Sequence, residues 1–83
     1  MYLEIVTPDT KIFEGEVVTA TFPGSDGSFQ VLSNHASMIS MLGKGDIRYT
    51  EDKKKEEVIT VDGGVLEVLK NRVVVLVERI VEL

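Results

Sequence analysis

Apolar and polar residues alternate with a period of two along most of the chain, which is the pattern of half-buried β-strands. In YLEIVT, Leu3 and Ile5 fall on one face and Glu4 on the other. The segment EGEVVTATF predicts a second strand, and Pro8 suits a tight turn between the two. No segment shows the 3.6-residue period of a helix.

The rest of the chain predicts further short strands, separated by segments that break them. The strands are SFQVL, MISML, IRYTE, EVITVD, VLEVL and RVVVLVERI. The corner PGSDG, the turn GKGD, a charged loop and Gly63-Gly64 separate them, and Lys70-Asn71 is a connection of hairpin type. The last strand is the most apolar, so we expect it to be central and covered on both faces.

About eight to ten short strands with frequent turns predict an all-β fold. The expected architecture is a flattened antiparallel β-sandwich or barrel that forms a single domain over residues 1–83. We see no linker, internal repeat or low-complexity segment that would divide it.

Composition excludes several classes of function. The chain has no cysteine and one histidine, which excludes a disulfide framework and thiolate metal sites and fits a cytosolic protein. The net charge of −5 argues against nucleic-acid binding, because affinity for phosphates comes mostly from Lys and Arg. No apolar run approaches the ~20 residues that span a bilayer, so membrane association would require a partner.

The glycine-rich segment from Gly24 to Ser28 is a candidate phosphate-binding loop. Such a loop needs a Lys and a Ser or Thr after its last glycine, at the start of a helix. Here Phe29 and a predicted strand follow instead. Calcium binding at Asp26 is equally unsupported, because an EF-type loop needs several regularly spaced oxygen ligands. The pattern favours a simple turn.

Two other segments suggest chemistry. Ser33, His35 and Ser37 could supply a nucleophile and a base, but no acidic residue lies nearby in the sequence to orient the imidazole. One could come from elsewhere in the fold, although a lone loop histidine is more often a hydrogen-bonding or interface residue. Lys44 occupies a predicted turn, like the modified lysine of biotinyl or lipoyl carrier domains. The Met-Lys-Met or Asp-Lys-Ala of those domains is absent.

The methionine-rich strand MISML is more informative. Met38, Ser40 and Leu42 face one way, while Ile39 and Met41 face the other. One set can enter the core, and the other is either covered or exposed. Methionine is an adaptable contact at interfaces, and an exposed apolar patch signals a partner. The residues alone therefore indicate a small acidic β-sandwich that acts as a non-enzymatic interaction module.

The order of motifs resembles the epsilon subunit of F-type ATP synthases over essentially all of the chain. That family has Gly-x-Phe/Leu-Gly-Val-Leu-Pro-Gly/Asn-His-Ala-Pro, then an apolar strand and Gly-x-Ile-Arg-Ile. The matching positions are Gly27, Phe29, Val31, Leu32, Asn34, His35, Ala36, Gly45, Ile47, Arg48 and Tyr49. VDGGVLEVLKNRVVVLVE is similar to the family's later SGGxLEV segment. Gln30, Ser33 and Ser37 depart from the pattern, and the two missing prolines would each have fixed a φ angle.

The resemblance implies a flattened sandwich of about ten strands on the central stalk, at the foot of the gamma subunit and resting on the c ring. Such a subunit does no bond chemistry and needs no cofactor or metal. It couples proton-driven rotation of the ring to gamma and to ATP synthesis. It lies at the cytoplasmic face of the bacterial plasma membrane, touches the membrane only through the c ring, and requires no self-association. The alternative is a generic β-sandwich adaptor.

The resemblance also assigns residues to two neighbours. The c-ring side is Ser25, Asp26, Gly27 and Ser28, and the gamma side is Thr7, His35, Met38, Ile39, Ser40 and Met41. In the chain without partners, we expect Ile39 or Met41 to be more than about one third exposed.

Longer relatives continue into two C-terminal helices that respond to nucleotide. If the 83 residues are the whole gene product, this arm is missing after VERIVEL, and we expect no nucleotide site and no measurable ATP binding by the isolated subunit.

Overall fold

Seven β-strands make up the fold in a computed structural model that describes residues 1–81. They are β1 (Tyr2–Val6), β2 (Lys11–Glu16), β3 (Thr19–Gly24), β4 (Gly27–Leu32), β5 (Met38–Thr50), β6 (Glu56–Leu69) and β7 (Arg72–Val77). They form one sheet in the order β2-β1-β7-β6-β5-β3-β4. The predicted all-β class is confirmed. Glu82 and Leu83, at the end of the predicted domain, lie outside the described residues.

The long strands β5 and β6 each take part in two layers. Residues 38–42 of β5 pair with residues 64–68 of β6, and residues 44–50 pair with residues 56–62. Beyond the first set the sheet continues through β7, β1 and β2, and beyond the second through β3 and β4. Gly43 and Gly63 stand opposite each other between the two sets, where glycine permits a bend.

The two layers face each other as a sandwich. The rings of Phe13 on β2 and Tyr49 on β5 lie 4.3 Å apart between centroids, although three strands separate β2 from β5 in the sheet. In a flat sheet, with about 4.8 Å between neighbouring strands, these rings could not meet. The sheet must therefore fold over, which encloses the core between its two halves.

The core is mainly aliphatic and comes from alternate positions of the strands. Leu3, Ile5, Ile47 and Val75 have no exposed surface, which confirms the faces that the period-two pattern predicts. Burial in this core raises the pKa of the Tyr49 phenol above its usual value. The core thus fixes which residues of each strand remain outside.

The turn predicted at GKGD is absent, and so is the break predicted at Gly63-Gly64. Lys44 pairs with Asp62 and Gly45 pairs with Val61, so the ladder continues through both segments. MISML and IRYTE are parts of β5, while EVITVD and VLEVL are parts of β6. Because β5 and β6 run through both layers, each of them supplies one strand segment to each layer. Residues 79–81 bond to β6 as well, which gives about ten strand segments, as the resemblance implies.

The single strand predicted in EGEVVTATF is wrong, because this segment belongs to both layers. The Val17 N–H donates to the Met1 carbonyl oxygen at 2.8 Å, and the Val18 N–H donates to the Thr50 carbonyl oxygen at 2.8 Å. These consecutive bonds take the chain from the first layer to the second. The period-two pattern hides the corner because both residues are apolar.

Strand β7 lies between β1 and β6, but it is covered on one face only. Val73, Val75 and Val77 are buried, whereas Leu76 is 55% exposed. The prediction that this segment is covered on both faces is therefore wrong. β7 also pairs with β1 in parallel, so the sheet is not purely antiparallel. A parallel pair needs a long connection, which the intervening strands supply.

The turns predicted at Pro8 and at Lys70-Asn71 are confirmed. Thr7 N–H donates to the Thr10 carbonyl oxygen at 2.9 Å, which closes the reversal between β1 and β2. Lys70 and Asn71 have φ angles of 50° and 63°. Positive φ at both central residues is the requirement of the type I′ hairpin turn.

We expect Gly64→Ala to destabilise the fold, because this position has no room for a methyl group. A Cβ on Gly64 would lie 2.4 Å from the Leu76 carbonyl oxygen and 3.1 Å from the Val77 Cα, both in the neighbouring strand. Overpacking of this kind costs about 1–3 kcal/mol, which urea unfolding followed by circular dichroism would measure. Gly43→Ala is the matched control, since a Cβ there approaches other atoms only to 4.0 Å. Equal losses in both variants would contradict the explanation.

Candidate docking surfaces

The first candidate surface is the hairpin tip, defined as Ser25 to Ser28, which connects β3 to β4. All four residues are exposed. The two strands pair up to Gly24 and Gly27, and Gly27 has a φ of 131°, which side-chain-bearing residues rarely adopt. Because a strand follows rather than a helix, the tip lacks the arrangement of a phosphate-binding loop. The predicted turn is confirmed.

The second candidate surface lies on the outer face of the first layer, and we call it the outer patch. It consists of two rows of residues, and within each row the residues are register partners on neighbouring strands. The rows are Met41, Val65, Leu76 and Val6, and Ile39, Glu67 and Val74. Ile39 is 72% exposed and Met41 is 61% exposed, which confirms the prediction for these two side chains.

Met38 and Ser40 are the predicted gamma-side residues that face away from the outer patch. Both alternate with Ile39 and Met41 along β5 and are half-buried, and Met38 packs against the core. The Ser40 hydroxyl donates to the Met41 carbonyl oxygen at 3.4 Å. These two residues therefore support β5 from within and add little exposed surface.

Thr7 and His35, the remaining predicted gamma-side residues, lie at opposite ends of the outer patch. Thr7 and Met41 together line a groove of about 400 Å³ beside the bend of the sheet. His35 precedes β5, next to Asn34, whose N–H donates to the Asn71 side-chain oxygen at 2.9 Å. The predicted set therefore extends along β5 from the β6–β7 turn to the hairpin tip.

His35 has no arrangement for nucleophilic catalysis. Its Nδ1 lies 2.8 Å from the Ala36 carbonyl oxygen, and its backbone N–H donates to the Leu32 carbonyl oxygen at 3.2 Å. Within residues 1–81, no side-chain hydrogen bond joins the imidazole to Ser33 or Ser37. Both contacts are to backbone carbonyl oxygens of its own loop, so they hold the loop in shape.

Within residues 1–81, Lys44 and the acidic residues likewise lack the arrangements of a carrier lysine and of a metal site. Lys44 lies within β5 opposite Asp62, not at the tip of a hairpin, so it lacks the placement of a carrier-domain lysine. In the part of the chain that the structure describes, no group of three or more potential ligands could hold a metal ion. The same residues include no helix long and apolar enough to cross a membrane.

The hairpin tip and the outer patch adjoin each other. The Ser25 N–H and hydroxyl both donate to the Met41 carbonyl oxygen, at 3.1 Å and 3.3 Å. A groove of about 490 Å³ lies between the tip and residues 39–41. Two neighbours of this domain that touch each other could therefore occupy both surfaces at once.

Charged residues on the rest of the outer face neutralise one another. Lys11 Nζ lies 2.6 Å from Glu14 and 3.4 Å from Glu4, and Arg72 lies 3.3 Å from Glu4. The Arg72 guanidinium also stacks 4.7 Å above the centre of the Tyr2 ring. Hydrogen bonding to Glu14 raises the pKa of Lys11, and Lys11 lowers the pKa of Glu14. Two cations and two carboxylates are thus balanced beside the outer patch.

Glu67 is the exception among the charged residues of this face. It stands within the outer patch, between Ile39 and Val74, and is exposed. Within residues 1–81 its carboxylate makes no ion pair.

The sequence pattern missed Val65, Val74 and Leu76 as surface residues, because apolar residues on both faces of a strand indicate full burial. One sequence signal pointed to an exposed face on this strand, namely the charged residue Glu67 in VLEV.

The chain matches the family model of the ATP synthase delta/epsilon chain β-sandwich domain over residues 1–83. It belongs to this family. The ATP synthase epsilon chain of a Nitratiruptor species is 44% identical over 81 residues, and that of Campylobacter concisus is 41% identical over 78 residues. These alignments cover 98% and 94% of the chain but 63% and 60% of the relatives. The chain therefore spans about three fifths of the length of these epsilon chains.

Solved structures confirm the fold of this delta/epsilon-family domain. A chain in the cryo-EM structure of the Euglena gracilis mitochondrial ATP synthase, comprising OSCP, F1 and the c ring in rotational state 1, superposes with a TM-score of 0.88. The match covers 95% of this chain and 51% of that chain at 22% identity. At this identity the likeness shows the shared β-sandwich fold alone.

Proposed function

We propose that this chain acts as a non-catalytic central-stalk subunit of an F-type ATP synthase. It joins the gamma subunit to the membrane c ring, so that proton-driven rotation of the ring reaches gamma and drives ATP synthesis. The observation that carries the proposal is the pair of adjoining surfaces, the apolar outer patch and the polar hairpin tip, on a domain of the delta/epsilon family.

The outer patch is the surface that we assign to gamma. Ile39, Met41 and Leu76 each expose more than half of their surface, and Val65 and Val74 join them across the strands. Full burial of one such side chain contributes about 1.5–3 kcal/mol. A contiguous apolar area of this kind usually marks a protein interface. Thr7 and His35 flank it, and Met38 and Ser40 support β5 from the inner side.

The hairpin tip is the surface that we assign to the c ring. Its residues Ser25, Asp26, Gly27 and Ser28 are exposed and polar, which suits contact with polar loops. Asp26 provides the negative charge of the tip, and we expect it to pair with basic side chains of the ring. In the proposed assembly, the domain lies at the cytoplasmic face of a bacterial plasma membrane and meets the bilayer only through the ring.

Coupling also requires a stiff body, and the fold supplies one. β5 and β6 pass through both layers without a shift in register, so each layer is hydrogen-bonded to the other through continuous strands. Between the layers lies a closely packed core, and such cores have low compressibility. Torque that enters at the hairpin tip can therefore reach β5 with little deformation of the domain.

Single cysteines test the two contacts separately, because the natural chain has none. In the assembled ATP synthase, a photo-crosslinker on Ser28→Cys is expected to capture the c subunit, and one on Ile39→Cys is expected to capture gamma. Mass spectrometry of the crosslinked bands identifies the products. Val58→Cys, at a 46% exposed position on the second-layer part of β6, is the control and should give neither product. Failure of gamma to co-purify with the chain, or capture of the same subunit from both sites, would refute the proposal.

A further inference from the structure

We propose that Glu67 is the charged anchor of the outer patch and pairs with a Lys or Arg side chain that the partner presents within an apolar surface. This inference rests on the proposed function, in which the partner at this surface is gamma. It adds the chemistry that gamma must supply there and names a specificity-determining residue on this chain.

Glu67 stands inside the apolar area rather than at its border. Its Cα faces Ile39 on β5 and Val74 on β7. With Val65 and Leu76, these residues line a groove of about 200 Å³ on the outer face. A partner that covers Ile39 and Leu76 must therefore also cover the carboxylate.

No cation of the described chain forms an ion pair with Glu67, and the cations Arg72 and Lys11 on this face are already engaged by other carboxylates. Arg72 is bound to Glu4, and Lys11 is bound to Glu4 and Glu14. In water the free carboxylate is well solvated, but an apolar cover would strip that water without replacing its hydrogen bonds. A Lys or Arg of the partner supplies both the counter-charge and the donors.

The same charge disfavours a second copy of this chain as the occupant. In a twofold contact through the outer patch, each copy presents the same surface, so two Glu67 carboxylates would enter one apolar interface. Like charges that face each other across an interface suppress the wrong partner. The occupant that fits is a different protein with a basic residue among apolar ones.

Glu67→Leu separates pairing of charges from apolar contact. If the patch binds by apolar contact alone, leucine adds apolar area and binding stays equal or tightens. If Glu67 pairs with a cation, leucine leaves that cation covered without a counter-charge. We expect the dissociation constant for purified gamma of the same synthase to rise at least about 10-fold in Glu67→Leu and about 100-fold in Glu67→Lys, by isothermal titration calorimetry.

Glu57→Lys is the matched control for the change of net charge. Glu57 is an exposed glutamate of the same strand, but it lies in the second layer. We expect its variant to bind gamma within about 2-fold of the natural chain, and thermal unfolding checks that every variant is folded. Equal or tighter binding by Glu67→Leu overturns the inference and leaves the proposed function standing. Absence of binding by the natural chain overturns the proposed function itself.

Discussion

Replacement of Phe22 by alanine is expected to lower the free energy of unfolding by about 3–5 kcal/mol. Phe22 has no exposed surface and is the largest of the fully buried side chains. Its ring lies 5.8 Å from that of Phe29 between centroids, so the substitution removes an aromatic contact and leaves a cavity. A domain of this size has a stability of only about 5 kcal/mol, so the variant should be partly unfolded without denaturant. Urea unfolding followed by circular dichroism measures the change.

Two further variants test the cause of this loss. Phe22→Leu keeps an apolar side chain in the same place and should lose clearly less stability than Phe22→Ala. Val58→Ala removes a side chain that is 46% exposed, and it should stay within about 0.5 kcal/mol of the natural chain. If Phe22→Ala lowers the free energy of unfolding by less than about 1 kcal/mol, the packing of the two layers does not depend on this ring.

The core could be predicted from the sequence because side-chain direction in a strand is a local property. Leu3 and Ile5 alternate with Glu4, and Ile47 and Tyr49 alternate with Arg48, so each pair marks its buried face directly. No distant residue is needed to decide which face is apolar. The hairpin at Lys70-Asn71 is local in the same sense, since Asn71 tolerates the positive φ angle that the turn requires.

Connections between layers could not be predicted in this way. Glycine can end a strand or let it bend, and the choice at Gly63 depends on pairing with a segment that lies far away in the sequence. The corner at Val17 and Val18 depends on backbone bonds to both Met1 and Thr50. These features are set by tertiary pairing, which a period-two pattern does not contain.

Strand β7 shows why part of the candidate site was also missed. An apolar residue that faces the core and one that faces a partner are identical in sequence, so Val74 and Leu76 look like core positions. The structure separates them, because no layer of the described chain covers their face. Some of the apolar residues of β7 therefore lie on the surface and not in the core. The resemblance predicts an interface on β5, and the register places Val65, Glu67 and Leu76 beside those β5 residues.

The double variant Ile39→Thr and Met41→Thr is expected to weaken binding to gamma by about 100-fold or more. Both side chains are largely exposed in the isolated chain, so burial against gamma should contribute about 1.5 kcal/mol or more for each. The sum of about 3 kcal/mol corresponds to two factors of ten in the dissociation constant. Threonine retains a strong strand preference, so the fold should be preserved. Calorimetric titration with purified gamma measures the affinity.

The control for this variant removes the same kind of surface from elsewhere on the domain. Val18 and Val58 are 45% and 46% exposed and lie outside the outer patch. Val18→Thr with Val58→Thr should leave the affinity for gamma within about 2-fold of the natural value, because neither side chain would be buried by gamma. Similar losses in the two double variants would mean that gamma does not distinguish these surfaces, and its assignment to the outer patch would be wrong. A loss confined to Ile39 and Met41 would instead place gamma on β5, directly beside the hairpin tip that we assign to the c ring.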